Sequence, residues 1–143
     1  MTLVVRDRPV LPRAPALRVR AAVDATGTVT YRVVGDLDAT CVERFRTATA
    51  SAPRQPRVVL DLTGVGFIDA AGLGAVTRLI RRVVDAGRPA AVATTSATIT
   101  RLLDAAGVSE AAPIVASARD AFRRAPAVLP DDGGGFPDAP CRL

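Results

Sequence analysis

Residues 58–73 read VVLDLTGVGFIDAAGL, and the rest of the chain is organised around them. The opening run of valine and leucine, interrupted by Asp61, is typical of a strand buried on both faces of a parallel sheet. The glycine-containing TGVG segment at 63–66 then indicates a loop. Asp69 is of a residue type that caps helix N-termini, so it should begin a loop-to-helix junction beyond the end of a strand. Binding sites of open α/β sheets collect at such junctions.

The residues after Asp69 have the pattern of an amphipathic helix. Its apolar side consists of residues at helical spacing, Leu73, Val76, Ile80 and Val83 or Val84. Its charged side consists of Arg78, Arg81, Arg82 and Asp85. Gly87 followed by Pro89 marks the end of the helix, because glycine and proline are common just past helix C-termini.

The segments on either side of this unit alternate between strand and helix patterns. Leu17–Val23 and Thr28–Val34 alternate apolar and polar residues around a short turn, which makes them antiparallel neighbours. Asp38 is predicted to cap a helix that carries Val42 and Phe45 toward the core. The later elements are a strand at 90–95, a helix from Ser96 to Gly107, an edge strand at 112–116, and a final helix from Ser117 to Arg124.

The predicted element order is ββαβαβαβα, which favours an α/β fold with right-handed crossovers. We expect a mixed, mostly parallel sheet of about five strands with helices packed against it, within residues 17–125. Arginine and proline are frequent in residues 1–16, and proline and glycine in 126–143. These compositions predict a basic flexible N-terminal arm and a flexible C-terminal tail, both dispensable for folding.

The composition restricts the class of protein. The chain has 143 residues, of which 49% are hydrophobic and 23% charged, as is typical of one soluble domain with tails. It contains no apolar run of membrane-spanning length and no apolar segment of the kind that follows the basic start of a secretory signal. A cytoplasmic protein without membrane insertion is therefore predicted. The net charge is +5, but aromatic residues are only 3%, which argues against nucleic-acid binding.

The chain has no histidine, which excludes Ser-His and Cys-His nucleophilic sites and histidine-based zinc sites. Cys41 and Cys141 are far apart in sequence and indicate neither a disulfide nor a metal site. The glycines of residues 64–74 do not match a phosphate-binding loop. Gly72 is interpreted instead as permitting close packing or the approach of a partner. No enzyme activity, metal or cofactor is expected.

Three aspartates are candidates for a role beyond solubility. Asp38 and Asp69 should lie in loops that meet at one end of the sheet, where each can be a helix N-cap, a contact for a partner, or both. As an acid–base pair they lack a nucleophile, an oxyanion site or a metal. Asp61, inside an apolar strand, is predicted to be structural and to pair with Arg57 or with backbone donors.

Two motifs resemble the STAS domain, the fold of bacterial anti-sigma factor antagonists. GDLD at 35–38 is similar to that family's G-E-L-D signature, with Asp36 in place of glutamate. DLTGVGFIDAAGLG at 61–74 is similar to its D-L-S-x-V-x-F-I-D-S-S-G-L-G pattern. Two positions depart from the pattern. The serine that a partner kinase phosphorylates in the family is Ala70 here, and the serine after it is Ala71.

The resemblance covers roughly residues 17–125 and implies a protein-interaction module that acts as an anti-sigma factor antagonist. Such a module binds an anti-sigma factor, a histidine-kinase-like ATPase, and so releases a sigma factor. Because Ala70 cannot be phosphorylated, we expect a protein that is always competent to bind, or one controlled by its amount or by another partner. The expected partner-binding residues are Asp36, Asp38, Thr40, Asp69, Ala70, Ala71, Gly72 and Leu73.

Two other roles are compatible with a STAS-like domain. One is a scaffold or sensory subunit of a signalling assembly, which would form defined oligomers such as a homodimer. The other is an accessory subunit of a lipid or anion transport system, which would co-purify with an ATP-binding transporter subunit. An enzyme is the least favoured class, because no complete catalytic constellation is present.

Overall fold

The computed structural model describes residues 16–122. Most of the two predicted arms and the predicted helix end at Arg124 lie outside these residues. Five strands form one sheet in the order β1-β2-β3-β4-β5, in which β1 and β2 are antiparallel and all other neighbours are parallel. The strands are β1 (Arg18–Val23), β2 (Thr28–Leu37), β3 (Arg57–Ile68), β4 (Ala90–Ala93) and β5 (Ile114–Val115).

Helices connect the parallel strands, as the alternating pattern predicted. Within residues 16–122 they are α1 (Val42–Ala48), α2 (Ala70–Asp85), α3 (Ala97–Ala105) and α4 (Val108–Ala111), with two short 3₁₀ helices at Ala52–Arg54 and Ala118–Asp120. The predicted α/β class, with a mixed and mostly parallel five-stranded sheet, is confirmed. The predicted edge position of the last strand is confirmed as well, because β5 ends the strand order.

The main core lies between the sheet and α2. The side chains of Val58, Leu60 and Leu62 alternate toward this face of β3 and are fully buried there. The buried residues of α2 are Gly72, Ala75, Val76, Leu79, Ile80 and Val83, which confirms an apolar stripe at helical spacing. Val59 points to the opposite face and packs with Ala91 and Ala121, so the first half of β3 is buried on both faces, as predicted.

Strand β3 is longer than predicted. It continues through residues 63–66 to Ile68, so the predicted loop in this segment is wrong. Pairing with β2 continues there across register shifts, with Val34 opposite Gly64. A Cβ atom on Gly64 would lie 3.0 Å from the carbonyl oxygen of Val33. The glycine thus permits a close approach of β2 at a strand irregularity and does not make a turn.

The partner of the buried Asp61 is also different from the predicted one. Its carboxylate lies 3.4 Å from Nε of Arg32 and not beside Arg57. The reason is the register of the sheet, which places Arg32 directly opposite Asp61 on β2. The predicted backbone donor is confirmed, because the amide of Thr63 donates to Asp61 over 2.9 Å.

The end of the described chain is less helical than predicted. Ser117 accepts a hydrogen bond from the amide of Arg119, as a capping residue should, but the element that it begins is the 3₁₀ helix at Ala118–Asp120. The short helix α4 was not predicted. It follows α3 directly after Gly107, and four residues are too few to produce a recognisable helical period.

Candidate functional site

Strands β2 and β3 end side by side, and this brings the two sequence motifs together. Leu37 is paired with Ile68 as the last register pair of the two strands. The amide of Asp69 then donates to the carbonyl oxygen of Leu37 over 3.3 Å. The loop after β2 and the start of α2 therefore leave the sheet as neighbours, as the prediction for Asp38 and Asp69 required.

The carboxylate of Asp69 holds both segments. One oxygen, Oδ1, accepts a hydrogen bond from the amide of Gly72 over 2.8 Å, which confirms Asp69 as the N-cap of α2. The other oxygen, Oδ2, accepts from the amide of Ala39 over 3.1 Å, thirty residues earlier in the chain. A single side chain thus fixes the helix start and the GDLD loop relative to each other. We call this arrangement the Asp69 clamp.

Gly72 permits the close contact on which the clamp depends. It is buried, and a Cβ atom at this position would lie 2.1 Å from the carbonyl oxygen of Leu37 and 3.0 Å from Cγ1 of Ile68. No side chain fits between the first turn of α2 and the end of β2. The close-packing interpretation of Gly72 is therefore confirmed. This buried residue allows the start of α2 and the end of β2 to lie next to each other.

Asp38 does not cap the following helix, contrary to the prediction. Helix α1 begins at Val42, and its N-cap residue, Cys41, makes no side-chain capping bond. Asp38 instead folds its own loop, because its Oδ1 accepts from the amide of Thr40 over 3.0 Å and from its hydroxyl over 2.6 Å. Led by the bond from the Thr40 hydroxyl, these interactions hold the pKa of the Asp38 carboxyl below its ordinary value.

The first turn of α2 presents small side chains outward. Ala70 and Ala71 are exposed, whereas Leu73 is half-buried and packs against the main core. The amide of Leu73 donates to the carbonyl oxygen of Asp69 over 2.8 Å, so the helix is regular from its first residue. A side chain at position 70 would therefore stand on the surface beside the Asp69 clamp, at the positive end of the helix dipole.

Phe67 belongs to this surface, although the sequence did not identify it as a site residue. Its side chain is 53% exposed, which is unusual for an aromatic residue in a strand. It is paired with Asp36 across the two strand ends, and both lie on the sheet face opposite to Leu37 and Ile68. The sequence predicts a loop at 63–66, and a loop interrupts the alternation of inward and outward side chains along a strand. The outward position of Phe67 on β3 therefore could not be predicted.

The predicted residues thus fall into three groups. The outward-facing group at the strand ends consists of Asp38, Thr40, Asp69, Ala70 and Ala71; Asp36 lies at its rim beside Phe67; and Gly72 and Leu73 lie beneath it. We call Phe67 together with the first two groups the strand-end surface. The oxygens of Asp38 and Asp69 accept hydrogen bonds from their own chain, so both side chains order the loops.

Two further properties concern the described part of the chain as a whole. No helix in residues 16–122 has both the length and the apolar character needed to cross a membrane. In the same residues, no group of three or more His, Cys, Asp or Glu side chains could hold a metal ion.

Comparison with solved structures reveals similar folds at low sequence identity. An anti-sigma factor antagonist from Mycobacterium paratuberculosis is 18% identical, with a TM-score of 0.66 over 75% of this chain and 92% of that chain. The Bacillus cell fate determinant SpoIIAA in its phosphorylated form is 19% identical, with a TM-score of 0.60 over 76% of this chain and 99% of that chain. A murine solute carrier 26 family anion transporter is 22% identical, with a TM-score of 0.58 over 71% of this chain but only 18% of that chain.

At these identities the structures establish a common fold. No curated protein matches the chain in sequence. The sequence model of the STAS domain matches residues 19–121, which is well over half of the chain and includes both motifs and the complete sheet except the first residue of β1. The chain therefore belongs to the STAS domain family.

Proposed function

We propose that this protein is an anti-sigma factor antagonist, which binds an anti-sigma factor and thereby releases a sigma factor. The observation that carries the proposal is the Asp69 clamp, which orders two loops into one exposed surface. Several similar structures belong to proteins described as anti-sigma factor antagonists, which supports the same role for this chain. As a regulator of sigma factors the protein would act in the cytoplasm.

The strand-end surface has the physical properties of a protein-binding site. Its backbone is held by hydrogen bonds before any partner arrives, which lowers the entropic cost of binding. Phe67 offers an exposed aromatic side chain, and aromatic residues are enriched in protein–protein interfaces. The small side chains of Ala70 and Ala71 allow a partner to approach the start of α2 closely. We propose that this partner is a histidine-kinase-like ATPase.

Substitutions on the strand-end surface test this assignment. Phe67→Ala and Asp38→Lys should each weaken binding of the anti-sigma factor by about tenfold or more, because they remove an anchor and reverse a charge. Val23→Ala is the matched control, since Val23 is 68% exposed but lies at the opposite end of the sheet. Calorimetric titration of the folded variants measures the effect. Equal affinities for all three variants would remove this surface from consideration.

The partner itself is identified by affinity purification from the native cell with mass spectrometry. Recovery of a histidine-kinase-like ATPase would support the antagonist role. Recovery of an ATP-binding transporter subunit would contradict it and favour the accessory-subunit role. A defined homodimer or larger oligomer on size-exclusion chromatography, without such an ATPase, would favour a scaffold.

A second prediction concerns the missing phosphorylation site. The wild-type protein should gain no phosphate at the start of α2 when incubated with ATP and its cognate kinase, because Ala70 and Ala71 have no hydroxyl group. Ala70→Ser should restore an exposed acceptor at the helix start. The phosphorylated variant should bind its partner more weakly, since a charge of about −1.5 to −2 enters the surface beside Asp69.

Mass spectrometry after the kinase reaction, followed by binding measurements, decides this prediction. Ala97→Ser is the matched control, because Ala97 is likewise the first, exposed residue of a capped helix, α3. It should remain unmodified. Stoichiometric phosphate on the wild-type protein, at Thr63 or elsewhere, would show that the switch has moved to another residue, and the expectation of a protein that is always competent to bind would then be wrong.

A further inference from the structure

A second polar feature lies on the sheet face opposite α2. Strands β1 to β3 and the segment 116–122 enclose a groove of about 900 Å³. Four arginines line it, Arg20, Arg32, Arg57 and Arg119, and we call it the arginine groove. The lining contains two carboxylates, those of Asp24 and Asp61, so the groove has a formal charge of +2 from four positive and two negative groups. Its volume is in the range of small-molecule sites.

The register of the sheet places like charges beside each other in this groove. Arg20 on β1 is directly opposite Arg32 on β2, and Arg32 is in turn opposite Asp61 on β3. Opposed residues on neighbouring strands have their Cβ atoms about 5 Å apart, and like charges in that position repel each other. Asp61 pairs with Arg32, so this row of three residues keeps one unbalanced positive charge. An anion bound between the two arginines would relieve the repulsion.

The two carboxylates of the groove, which the net charge of +2 already includes, are held in place by neighbouring donors. Asp61 is buried and accepts from both the amide and the hydroxyl of Thr63, over 2.9 and 2.6 Å, in addition to facing Nε of Arg32. Asp24 accepts from the amide and hydroxyl of Thr26, over 2.8 and 2.6 Å, and from the amide of Thr28. Both carboxylates are thus fixed by hydrogen bonds within their own loops and strands, and the excess positive charge of the groove remains.

The guanidinium groups, in contrast, keep donors for a ligand. Arg32 contacts Asp61 through Nε, which leaves its two terminal nitrogens in a side chain that is 66% exposed. Arg20 and Arg119 form no ion pair with any residue in 16–122. Arg57 donates to the carbonyl oxygen of Thr26 over 3.2 Å and lies over the ring of Phe122, 5.8 Å from its centroid.

We propose that the arginine groove binds a phosphate monoester whose organic part is planar and apolar. Guanidinium groups match phosphate oxygens through paired hydrogen bonds, and two of them are already opposed across Arg20 and Arg32. The hydroxyl of Thr30, in the next cross-strand row, supplies a neutral donor. The ring of Phe122, which lies under Arg57, supplies an apolar surface that also lines the groove. This site is separate from the strand-end surface and does not depend on the proposed function.

The experiment titrates the full-length protein with phenyl phosphate and with inorganic phosphate at low salt. Backbone amide shifts in the NMR spectrum should saturate and should centre on Thr30, Arg32 and Thr63. Phenyl phosphate should bind more tightly than inorganic phosphate, because only the ester can contact Phe122. Equal affinities would overturn the assignment of a planar ester. Absence of saturable shifts, or shifts centred outside the groove, would overturn the site itself.

Two arginine substitutions test which positive charges of the groove bind phenyl phosphate. Arg20→Gln and Arg119→Gln should each weaken phenyl phosphate binding by about tenfold, the usual effect of losing one charge-assisted hydrogen bond. Neither change leaves a buried carboxylate without its partner, so both variants should fold. Arg78→Gln, on the exposed side of α2, is the matched control and should bind as the wild type does. Unchanged binding in the first two variants would refute the proposal.

A final experiment tests whether acidic residues of the chain itself compete with the ligand. Asp131, Asp132 and Asp138 follow Phe122 in sequence and could compete for the same arginines. Phenyl phosphate should bind equally well when all three are replaced by asparagine in the full-length protein. Binding that is observed only in this triple variant would assign the groove to the chain's own C-terminal residues, and the proposed ligand would be wrong.

Discussion

Gly72→Ala should lower the free energy of unfolding by about 3 kcal/mol and the melting temperature by about 12–20 °C. The new Cβ atom would lie 2.1 Å from the carbonyl oxygen and 2.9 Å from the carbonyl carbon of Leu37. Both atoms belong to the backbone of β2, so no side-chain rotation relieves the clash. Helix α2 must move away from the strand end, which also breaks the clamp formed by Asp69.

Gly74→Ala is the control, two residues further along the same helix. Nothing lies within 4 Å of the position that its Cβ would occupy, and the residue is exposed. This variant should be more stable than the wild type by about 0.5–1 kcal/mol, because alanine is a better helix former than glycine. Thermal and chemical denaturation measure both changes. Similar stability of the two variants would show that the close approach of α2 to β2 does not exist.

Asp69→Ala should lower the free energy of unfolding by about 2 kcal/mol, because two hydrogen bonds are lost together. The amide of Gly72 loses its cap, and the amide of Ala39 loses the acceptor that holds the GDLD loop. Asp69→Asn should have a smaller effect. Its amide oxygen can still cap the helix, but its nitrogen then faces the amide of Ala39, donor against donor.

Ser96→Ala provides the matched control for a capping bond alone. Ser96 caps α3 by accepting from the amide of Ile99 over 3.1 Å. Among the described residues, its side chain accepts no hydrogen bond from another loop, whereas that of Asp69 does. Its loss should lower the free energy of unfolding by about 1 kcal/mol. Hydrogen exchange at Ala39 separates the two effects, since it should accelerate in both Asp69 variants and not in Ser96→Ala. Unchanged protection at Ala39 would contradict the clamp.

Local features were predictable from the sequence because their physical causes are local. Helix α2 was identified from its apolar spacing and from Asp69 before it, and the same is true of α3 after Ser96. The first half of β3 was recognisable because a strand that is buried on both faces requires a continuous apolar run. The alternation of such elements was enough to predict the fold class.

Predictions from the sequence were wrong where a residue's role depends on the position of other parts of the backbone. The glycines in 63–66 have the pattern of a loop, yet Gly64 permits the approach of Val33, which lies 31 residues earlier on β2. Asp38 has the residue type of a cap, but the helix begins at Val42 with Cys41 as its N-cap residue. The carboxylate of Asp38 bonds Thr40 instead. Such distinctions depend on backbone positions that residue type does not specify.

The sequence by itself determined the α/β class, the family and the absence of a hydroxyl at Ala70. Hydrophobic patterns, motifs and the chemical groups of each side chain can all be identified without a structure. Only the tertiary structure decided that Phe67 stands exposed beside Asp36 and that Arg20, Arg32 and Asp61 form one row across three strands. The physical reason is register. A shift of one residue turns a strand side chain to the other face, and register is set by the packing of the whole sheet against its helices.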